Sequence, residues 1–383
     1  MRIAIYGDTH ISDHRGYAGS RPRLKDGTPA SLAFADRSLR WVESVCKERK
    51  VDTAVCLGDV FDSGRPTNDE REVAVRHFRE MLSIVGRVGC LVGNHDISRA
   101  HRQHALVGFD AEIRVFDRPD VWTVDGVPFI MVPYPRLEGL WSHFRGVGAV
   151  NNIYTAAASA FDSVLAAKAL TYPEALVFGH VSVGGAVHHR SGYVPDHDIL
   201  IPGDVLSMFR KSFFGHIHLR QTLEEGKVQF VGCLDRQRFD EEDYEVGMTI
   251  VTIGKSGDIV EEFIPNPNPV QFRTITWPEV PEFETIGEEQ ILRIVGEVTL
   301  EKDLEEAREL STELASRCLS VRNDVALVEP TQQEVQVRVL DDRNHQDLMD
   351  FYLEQHPDAV PADIESEVRS VVDEVINNAM GAV

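Results

Sequence analysis

The chain has 383 residues, of which 43% are hydrophobic, and a formal net charge of −23. This length supports two or three domains with buried cores. We expect a soluble, cytoplasmic protein, because the sequence has no long uncharged apolar run and no basic segment followed by an apolar one at its start. Five scattered cysteines without a Cys-x-x-Cys pair indicate free thiols in a reducing compartment.

The acidic charge is concentrated towards the C-terminal end. Residues 270–383 carry 26 acidic and 9 basic residues, whereas residues 1–269 carry 36 and 30. Nucleic-acid affinity comes largely from Lys and Arg contacts to phosphate, so the overall charge argues against such a substrate. The near balance of charge in the first two-thirds leaves that part able to bind an anionic molecule.

Short apolar runs that end in polar residues alternate with amphipathic segments in the first half of the chain. Apolar runs of about four to six residues that end at Gly predict buried strands. They lie in MRIAIYGDTH (1–10), DTAVCLGDVFD (52–62), GCLVGNHD (89–96), PFIMVPYP (128–135), EALVFGHVSVGG (174–185) and KSFFGHIH (211–218). Apolar spacings of three and four predict helices over 31–50 and 68–85. Residues 228–265 predict closing strands with a turn at Gly254 to Gly257, so the whole pattern favours a layered α/β domain.

The segment PNPNP at 265–269 marks the clearest boundary in the chain. Its three prolines cannot continue a helix or a central strand, which predicts a linker. A small β-α-β unit and two helices are predicted beyond it, over residues 291–300 (strand), 304–318 (helix), 334–340 (strand), 345–356 (helix) and 362–380 (helix).

Polar side chains collect at the ends of five predicted strands. They are Asp8, His10, Asp59, Asn94, His95, His180, His216 and His218. Ligands bind outside the carboxyl ends of strands in α/β sheets, and a Gly close to each of these positions permits a sharp exit from the strand. With His95 left aside, the mixture of imidazoles with carboxylate and amide oxygens suits Mn²⁺, Fe or Zn²⁺ rather than Ca²⁺. Seven such ligands exceed the need of one ion, so we predict two ions that share a bridging carboxylate and activate a phosphoryl group.

The motifs GDTH, GDVFD, GNHD, GHV and GHIH, in this order, resemble those of the calcineurin-like metallophosphoesterases. GDVFDSGRPT at 58–67 is more closely similar to the second motif of the SbcD-type DNA nucleases, the family that includes nuclease subunits of double-strand-break repair complexes. The resemblance implies an α/β fold with a metallophosphoesterase β-sandwich flanked by helices over 1–265. It further implies a small α+β capping domain over 270–342 and a helical tail over 343–383.

The resemblance also implies a role for each motif residue. One ion would be held by Asp8, His10, Asp59 and His218. The other would be held by Asp59, Asn94, His180 and His216. His95 would face the scissile phosphate as a catalytic group, and we expect Asp96 to orient it. Asp62 stands where some members have His, which leaves a direct catalytic role for Asp62 open.

Contacts with DNA and with other proteins are implied by the same resemblance. Arg65, Arg99 and Arg102 lie in loops after the motifs, where they either contact DNA phosphates or only solvate the surface. The acidic tail, 343–383, is either a solvated face or the docking segment for an SMC-like ATPase. A homodimer through 68–85 and 101–112 is expected from the family.

The sequence therefore predicts a manganese-dependent DNA nuclease, an exonuclease or endonuclease acting on DNA ends or hairpins within an SbcCD-like repair and recombination complex. The alternative is a metallophosphoesterase acting on small phosphodiesters or phosphoproteins. Protein phosphatases carry an Arg where this chain has Ser63, which disfavours that class. A non-catalytic scaffold that recruits an ATPase is a third hypothesis, which the complete ligand set disfavours.

Overall fold

A computed structural model of the protein describes residues 1–98, 103–109, 113–135, 153–188 and 199–328. One compact unit comprises the described residues of 1–295 together with 309–324. A second unit contains residues 296–308 and, within the described part of the chain, 325–328.

Helices and strands are numbered in chain order. The helices are α1 (Ala30–Arg49), α2 (Asn68–Val85), α3 (Ile153–Thr171), α4 (Gly203–Ser207) and α5 (Glu301–Ala315). The first strands are β1 (Arg2–Tyr6), β2 (Thr53–Cys56), β3 (Val88–Leu91), β4 (Ile97–Ser98), β5 (Gln103–His104), β6 (Arg114–Phe116), β7 (Asp120–Val124), β8 (Val127–Val132), β9 (Leu176–His180) and β10 (Ser182–Val183). The later strands are β11 (Leu200–Ile201), β12 (Lys211–Gly215), β13 (Gln221–Leu223), β14 (Val228–Phe230), β15 (Gly247–Ile253), β16 (Ile259–Pro265), β17 (Phe272–Thr276), β18 (Ile291–Val298) and β19 (Ser320–Leu327).

Two six-stranded sheets organise the first unit. Their strand orders are β16-β15-β1-β2-β3-β6 and β13-β14-β12-β9-β8-β7. Strands β1, β2 and β3 run parallel to one another, as do β8, β9, β12 and β14. The carboxyl ends of the parallel strands therefore meet at one edge of each sheet, where the predicted polar motifs follow them.

The side chains of β1 show how the two sheets are layered. Ile3 and Ile5 belong to a buried cluster that also contains Phe129 and Phe178 of the other sheet. Tyr6 belongs to a different cluster, together with apolar residues of α1 and α2. Since successive strand residues point to opposite faces, one face of the sheet packs on the second sheet and the other on helices. This arrangement confirms the predicted α/β sandwich flanked by helices.

Helix α2 coincides with the helix predicted over 68–85. Thr67 caps it and Glu70 completes a reciprocal capping box, while Gly86 ends it with a φ of 73°. Helix α3 was not predicted, and with α4 it covers the outer face of the second sheet. No helix within the described residues is long and apolar enough to cross a membrane.

The chain after PNPNP agrees in part with the predicted β-α-β unit. β18 and α5 lie where a strand and a helix were predicted, and the segment that closes the unit within the described residues is β19. The predicted strand over 334–340 and both C-terminal helices lie outside the described residues, as do Arg99 and Arg102. Strands β17, β18 and β19 form a small sheet in that order.

Candidate metal centre

The backbone is strained where the polar motifs leave the strands. Asp8, His10, Asp59 and His216 have φ values of 50°, 45°, 47° and 79°, in a region that non-glycine residues seldom adopt. Hydrogen bonds hold two of these turns, since the N–H groups of Asp8 and His10 donate to the carbonyls of Gly58 and Asp59, each over 3.0 Å. Such strain collects at functional sites, where it directs side chains to one place.

The first cluster brings Asp8, His10 and His218 together. Ligand-type atoms of these three residues lie within 4.8 Å of one another. The Nε2 atoms of His10 and His218 are 3.1 Å apart, a distance at which the two nitrogens can share only one proton. Asp8 is fully buried, and its carboxylate accepts from the N–H of His216 at 3.0 and 3.1 Å. The predicted ligands from the first and fifth motifs are therefore neighbours in space.

The second cluster brings Asp59, His180 and His216 together, with Asn94 beside them. His180 Nδ1 donates to the carbonyl of Leu57 over 2.7 Å, which leaves Nε2 to face the cluster. That Nε2 lies 3.1 Å from Asn94 Oδ1 and 3.1 Å from Asp59 Oδ2. His216 Nδ1 is 2.9 Å from the same Asn94 oxygen. His216 and His218 thus face different clusters although they are two residues apart.

Asp59 lies between the two clusters. Its Oδ2 is 3.1 Å from His180 Nε2 and 3.8 Å from His10 Nε2, and its Oδ1 accepts from the N–H of His95 over 2.8 Å. Burial alone would raise the pKa of Asp59, but the neighbouring imidazoles of His180 and His10 lower it far below the usual range. Burial would lower the pKa of His180, and the charge of Asp59 raises it instead. One carboxylate therefore serves both halves of the site.

The donor set fits two divalent cations. In the second cluster, His180 Nε2, Asn94 Oδ1 and Asp59 Oδ2 converge on one point, and a cation bound there would take the place of the proton that Asp59 favours on His180 Nε2. A cation satisfies these atoms, and neutral imidazoles with oxygen ligands suit Mn²⁺, Fe or Zn²⁺. Burial lowers the pKa of His10 to about 4, which keeps this imidazole neutral and able to bind an ion.

Two glycines make room for this packing. A Cβ atom on Gly93 would lie 2.1 Å from Asp59 Oδ1, and one on Gly58 would lie 2.8 Å from His180 Nδ1. Gly58 also has a φ of 104°. The backbone thus approaches the ligands more closely than any side chain would permit.

His95 is exposed at the mouth of the site, but it is not oriented as predicted. Its Nδ1 donates to the backbone carbonyl of Asp62 over 3.0 Å. Asp96 is fully buried, and its carboxylate accepts from the N–H groups of Phe61 and Gly93, each over 2.9 Å. The prediction that Asp96 orients His95 is therefore wrong. Asp96 is occupied with the backbone of the second and third motifs, and burial raises its pKa to about 7.

Asp62 contacts its neighbours with both its backbone and its carboxylate. Its carboxylate forms an ion pair with Arg15 and lies 3.5 Å from His10 Nδ1. Burial would raise the pKa of Asp62, but His10 and Arg15 lower it below the usual range. A direct catalytic role for Asp62 stays a prediction. In the structure, its carboxylate contacts Arg15 and His10 and its backbone carbonyl accepts from His95.

Two adjoining cavities open at the centre. One of about 400 Å³ is lined by residues of both clusters together with Arg15, Gln237, Arg238 and Glu241. A second, also of about 400 Å³, shares Asp62, Asn94 and His95 with the first and extends along Ser63, Gly64 and Arg65. Arg65, a predicted DNA contact, is exposed beside this second cavity.

Sequence reasoning missed the segment from Gln237 to Tyr244, which forms one wall of the first cavity. The short run VQF at 228–230 could have predicted the position of this segment. This run forms β14, which is parallel to β12, so the chain that follows β14 leaves the sheet at the same edge as the chain that follows β12. Within this segment, the Glu241 carboxylate contacts the site directly, at 2.7 Å from His218 Nδ1.

The family model for calcineurin-like phosphoesterases matches residues 1–220 of this chain. The match includes every predicted metal ligand, and it spans more than half of the protein. The chain belongs to the calcineurin-like phosphoesterase family. Members use divalent metal ions to hydrolyse phosphoesters, so the protein is a metal-dependent phosphoesterase.

Solved structures similar to this chain include phosphatases and phosphodiesterases. A dimetal phosphatase from Danio rerio has 15% identity and a TM-score of 0.41, with 69% of this chain and 95% of that chain covered. A phosphoesterase from E. coli has 11% identity and a TM-score of 0.31, with 69% and 100% covered. An archaeal phosphodiesterase has 12% identity and a TM-score of 0.31, with the same two shares covered. No curated protein sequence matches the chain significantly.

Proposed function

We propose that the protein is a manganese-dependent DNA phosphodiesterase, an exonuclease or endonuclease that cuts at DNA ends or hairpins. The observation that carries this proposal is the pair of adjoining cavities that share Asp62, Asn94 and His95. A phosphomonoester needs one cavity, whereas a phosphodiester, including a polynucleotide, continues on both sides of the scissile phosphate. The similarity of GDVFDSGRPT to the nuclease motif supports the same substrate.

One ion would be held by Asp8, His10, Asp59 and His218. The other would be held by Asp59, Asn94, His180 and His216. Bound there, two divalent ions supply Lewis-acid polarisation of the phosphoryl oxygens and a water nucleophile of lowered pKa. Burial of Asp8 and Asp59 keeps competing water away from the ligand atoms, so their geometry is retained before substrate arrives.

We propose that His95 moves a proton in the reaction. A backbone carbonyl only accepts hydrogen bonds, so the contact with Asp62 fixes the proton on Nδ1 and leaves Nε2 to the substrate. A protonated Nε2 donates to the oxygen that leaves the phosphorus. Arg15, held by Asp62 in the wall of the first cavity, adds positive charge next to the phosphate.

The proposed partners rest on the resemblance. We propose an SMC-like ATPase as the partner of the tail, 343–383, and a homodimer that uses α2. Co-purification of the ATPase with the full chain, and its loss when residues 343–383 are removed, tests the first of these.

The function is tested with three substrates: labelled duplex or hairpin DNA, bis-p-nitrophenyl phosphate and p-nitrophenyl phosphate, each with Mn²⁺. We expect cleavage of DNA and of the diester. Cleavage of the monoester alone would identify a phosphatase, and cleavage of the small diester without DNA would favour a small-molecule phosphodiesterase.

The role of His95 is tested by His95→Ala. We expect the cleavage rate to fall about 10²–10⁴-fold while Mn²⁺ binding is kept, because proton transfer typically contributes that much. His14→Ala is the matched control, since the His14 side chain is 62% exposed and pairs only with Asp13 among the contacts described. An unchanged rate in His95→Ala would contradict the assigned role.

A further inference from the structure

Glu241 is a buried carboxylate directly behind one of the ligand histidines. It is 1% exposed, and its Oε1 lies 2.7 Å from Nδ1 of His218. The opposite nitrogen of that imidazole, Nε2, faces His10 in the first cluster. The imidazole therefore stands between the metal cluster and an acidic group.

The carboxylate of Glu241 is itself held by the segment that carries it. Its Oε2 accepts from the N–H of Gln237 over 2.7 Å, and its Oε1 also accepts from Arg238 Nε over 2.9 Å. The N–H of Tyr244 donates to the Glu241 carbonyl over 2.8 Å. With an N–H donor on each of its two oxygens, the buried carboxylate is fixed in place as a hydrogen-bond acceptor.

An ionised carboxylate can only accept hydrogen bonds, so its contact assigns the proton of His218 to Nδ1. The lone pair of Nε2 is then directed to the first cluster. His180 uses the Leu57 carbonyl for the same purpose in the second cluster. Unlike a carbonyl, a carboxylate also makes the imidazole a stronger base, and therefore a stronger ligand.

We propose that Glu241 is a positioning residue that fixes the tautomer and the orientation of His218 and, through its negative charge, sets the affinity of one ion of the pair. The proposal deepens the proposed function and rests on the two-ion site. Gln237 and Arg238 line the cavity, and both donate hydrogen bonds to Glu241. The same carboxylate therefore affects both the binding of this ion and the shape of the cavity wall.

Glu241→Gln tests the proposal with Mn²⁺ as the probe, in calorimetric titrations of the full chain from which metal has been removed. An amide of the same size can offer His218 an oxygen, but it carries no charge. We expect one of two ions to bind about 10–100-fold more weakly, as is typical for loss of such a partner, and the other to bind unchanged. Glu242→Gln is the matched control, since the Glu242 carboxylate accepts a hydrogen bond from Thr274 instead of contacting His218. We expect this variant to bind both ions with wild-type affinity.

Chemical unfolding in the presence of chelator separates positioning from folding. If Glu241→Gln lowers the stability of the metal-free chain but binds both ions with wild-type affinity, Glu241 is only structural and the proposal is overturned. Cys233→Ser tests a third ion held by His218, Cys233 and Glu241, whose ligand-type atoms also cluster. Loss of an ion in that variant would overturn the proposal, and unchanged binding supports it. A wild-type chain that binds no Mn²⁺ would instead overturn the two-ion function itself, together with this inference.

Discussion

Gly93→Ala should damage the site through the bridging carboxylate. The new methyl group would lie 2.1 Å from Asp59 Oδ1 and 2.4 Å from the Asp59 nitrogen. An ordinary contact needs about 3.5 Å, so Asp59 or the backbone must move by roughly 1 Å. Overpacking of this kind costs about 1–3 kcal/mol, and a displacement of about 1 Å at a reactive centre costs about 10²-fold in rate.

Urea unfolding in chelator measures the first effect, and diester cleavage at saturating Mn²⁺ measures the second. Gly184→Ala is the matched control, because a Cβ there would meet, among the residues that the structure describes, only the carbonyl of Ile201, at 3.7 Å. We expect the control to change stability by less than about 1 kcal/mol and to keep its activity. Wild-type stability and rate in Gly93→Ala would refute the close packing on which the geometry of Asp59 rests.

Two further predictions concern the stability of the fold around the site. His77 is buried between Tyr6 Oη and Glu43 Oε1, each at 2.8 Å, and burial lowers its pKa although Glu43 partly opposes this. The folded state thus disfavours imidazolium, and stability should fall as the pH drops below about 6.5, the unfolded value. Between neutral and mildly acidic pH, the free energy of unfolding should decrease less in His77→Gln than in the wild type. An equal decrease in the two proteins would contradict this prediction. Thr67→Ala removes the oxygen that accepts from the Glu70 N–H, so the free energy of unfolding should fall by about 0.5–2 kcal/mol, and no change would show that the cap contributes nothing.

The fold was predictable where burial and polarity alternate along the chain. Strand β1 was predicted from a continuous apolar run that ends at Gly7, and helix α2 from apolar residues at spacings of three and four. Helix α3 was missed, since its apolar residues are not confined to one face and give little periodicity.

The site was predictable to the extent that its residues follow strands. Asp8 and Asp59 follow neighbouring parallel strands of one sheet, so their convergence could be inferred from those strands alone. His180 ends a strand of the other sheet and joins them only through the packing of the two sheets. The partners behind them could not be inferred in this way. Which carbonyl or carboxylate holds His95 and His218 depends on loop geometry, and this is why Asp96 was assigned wrongly and Glu241 was missed.

The proposed two-metal centre depends on Asp59 as the carboxylate shared by both ions, and the electron paramagnetic resonance of bound Mn²⁺ tests this directly. With two equivalents of Mn²⁺, the wild type should give the spectrum of a spin-coupled ion pair, and His216→Ala and His218→Ala should each leave a single uncoupled ion. A wild-type spectrum of isolated ions only, at full loading, would contradict a two-metal centre joined through Asp59.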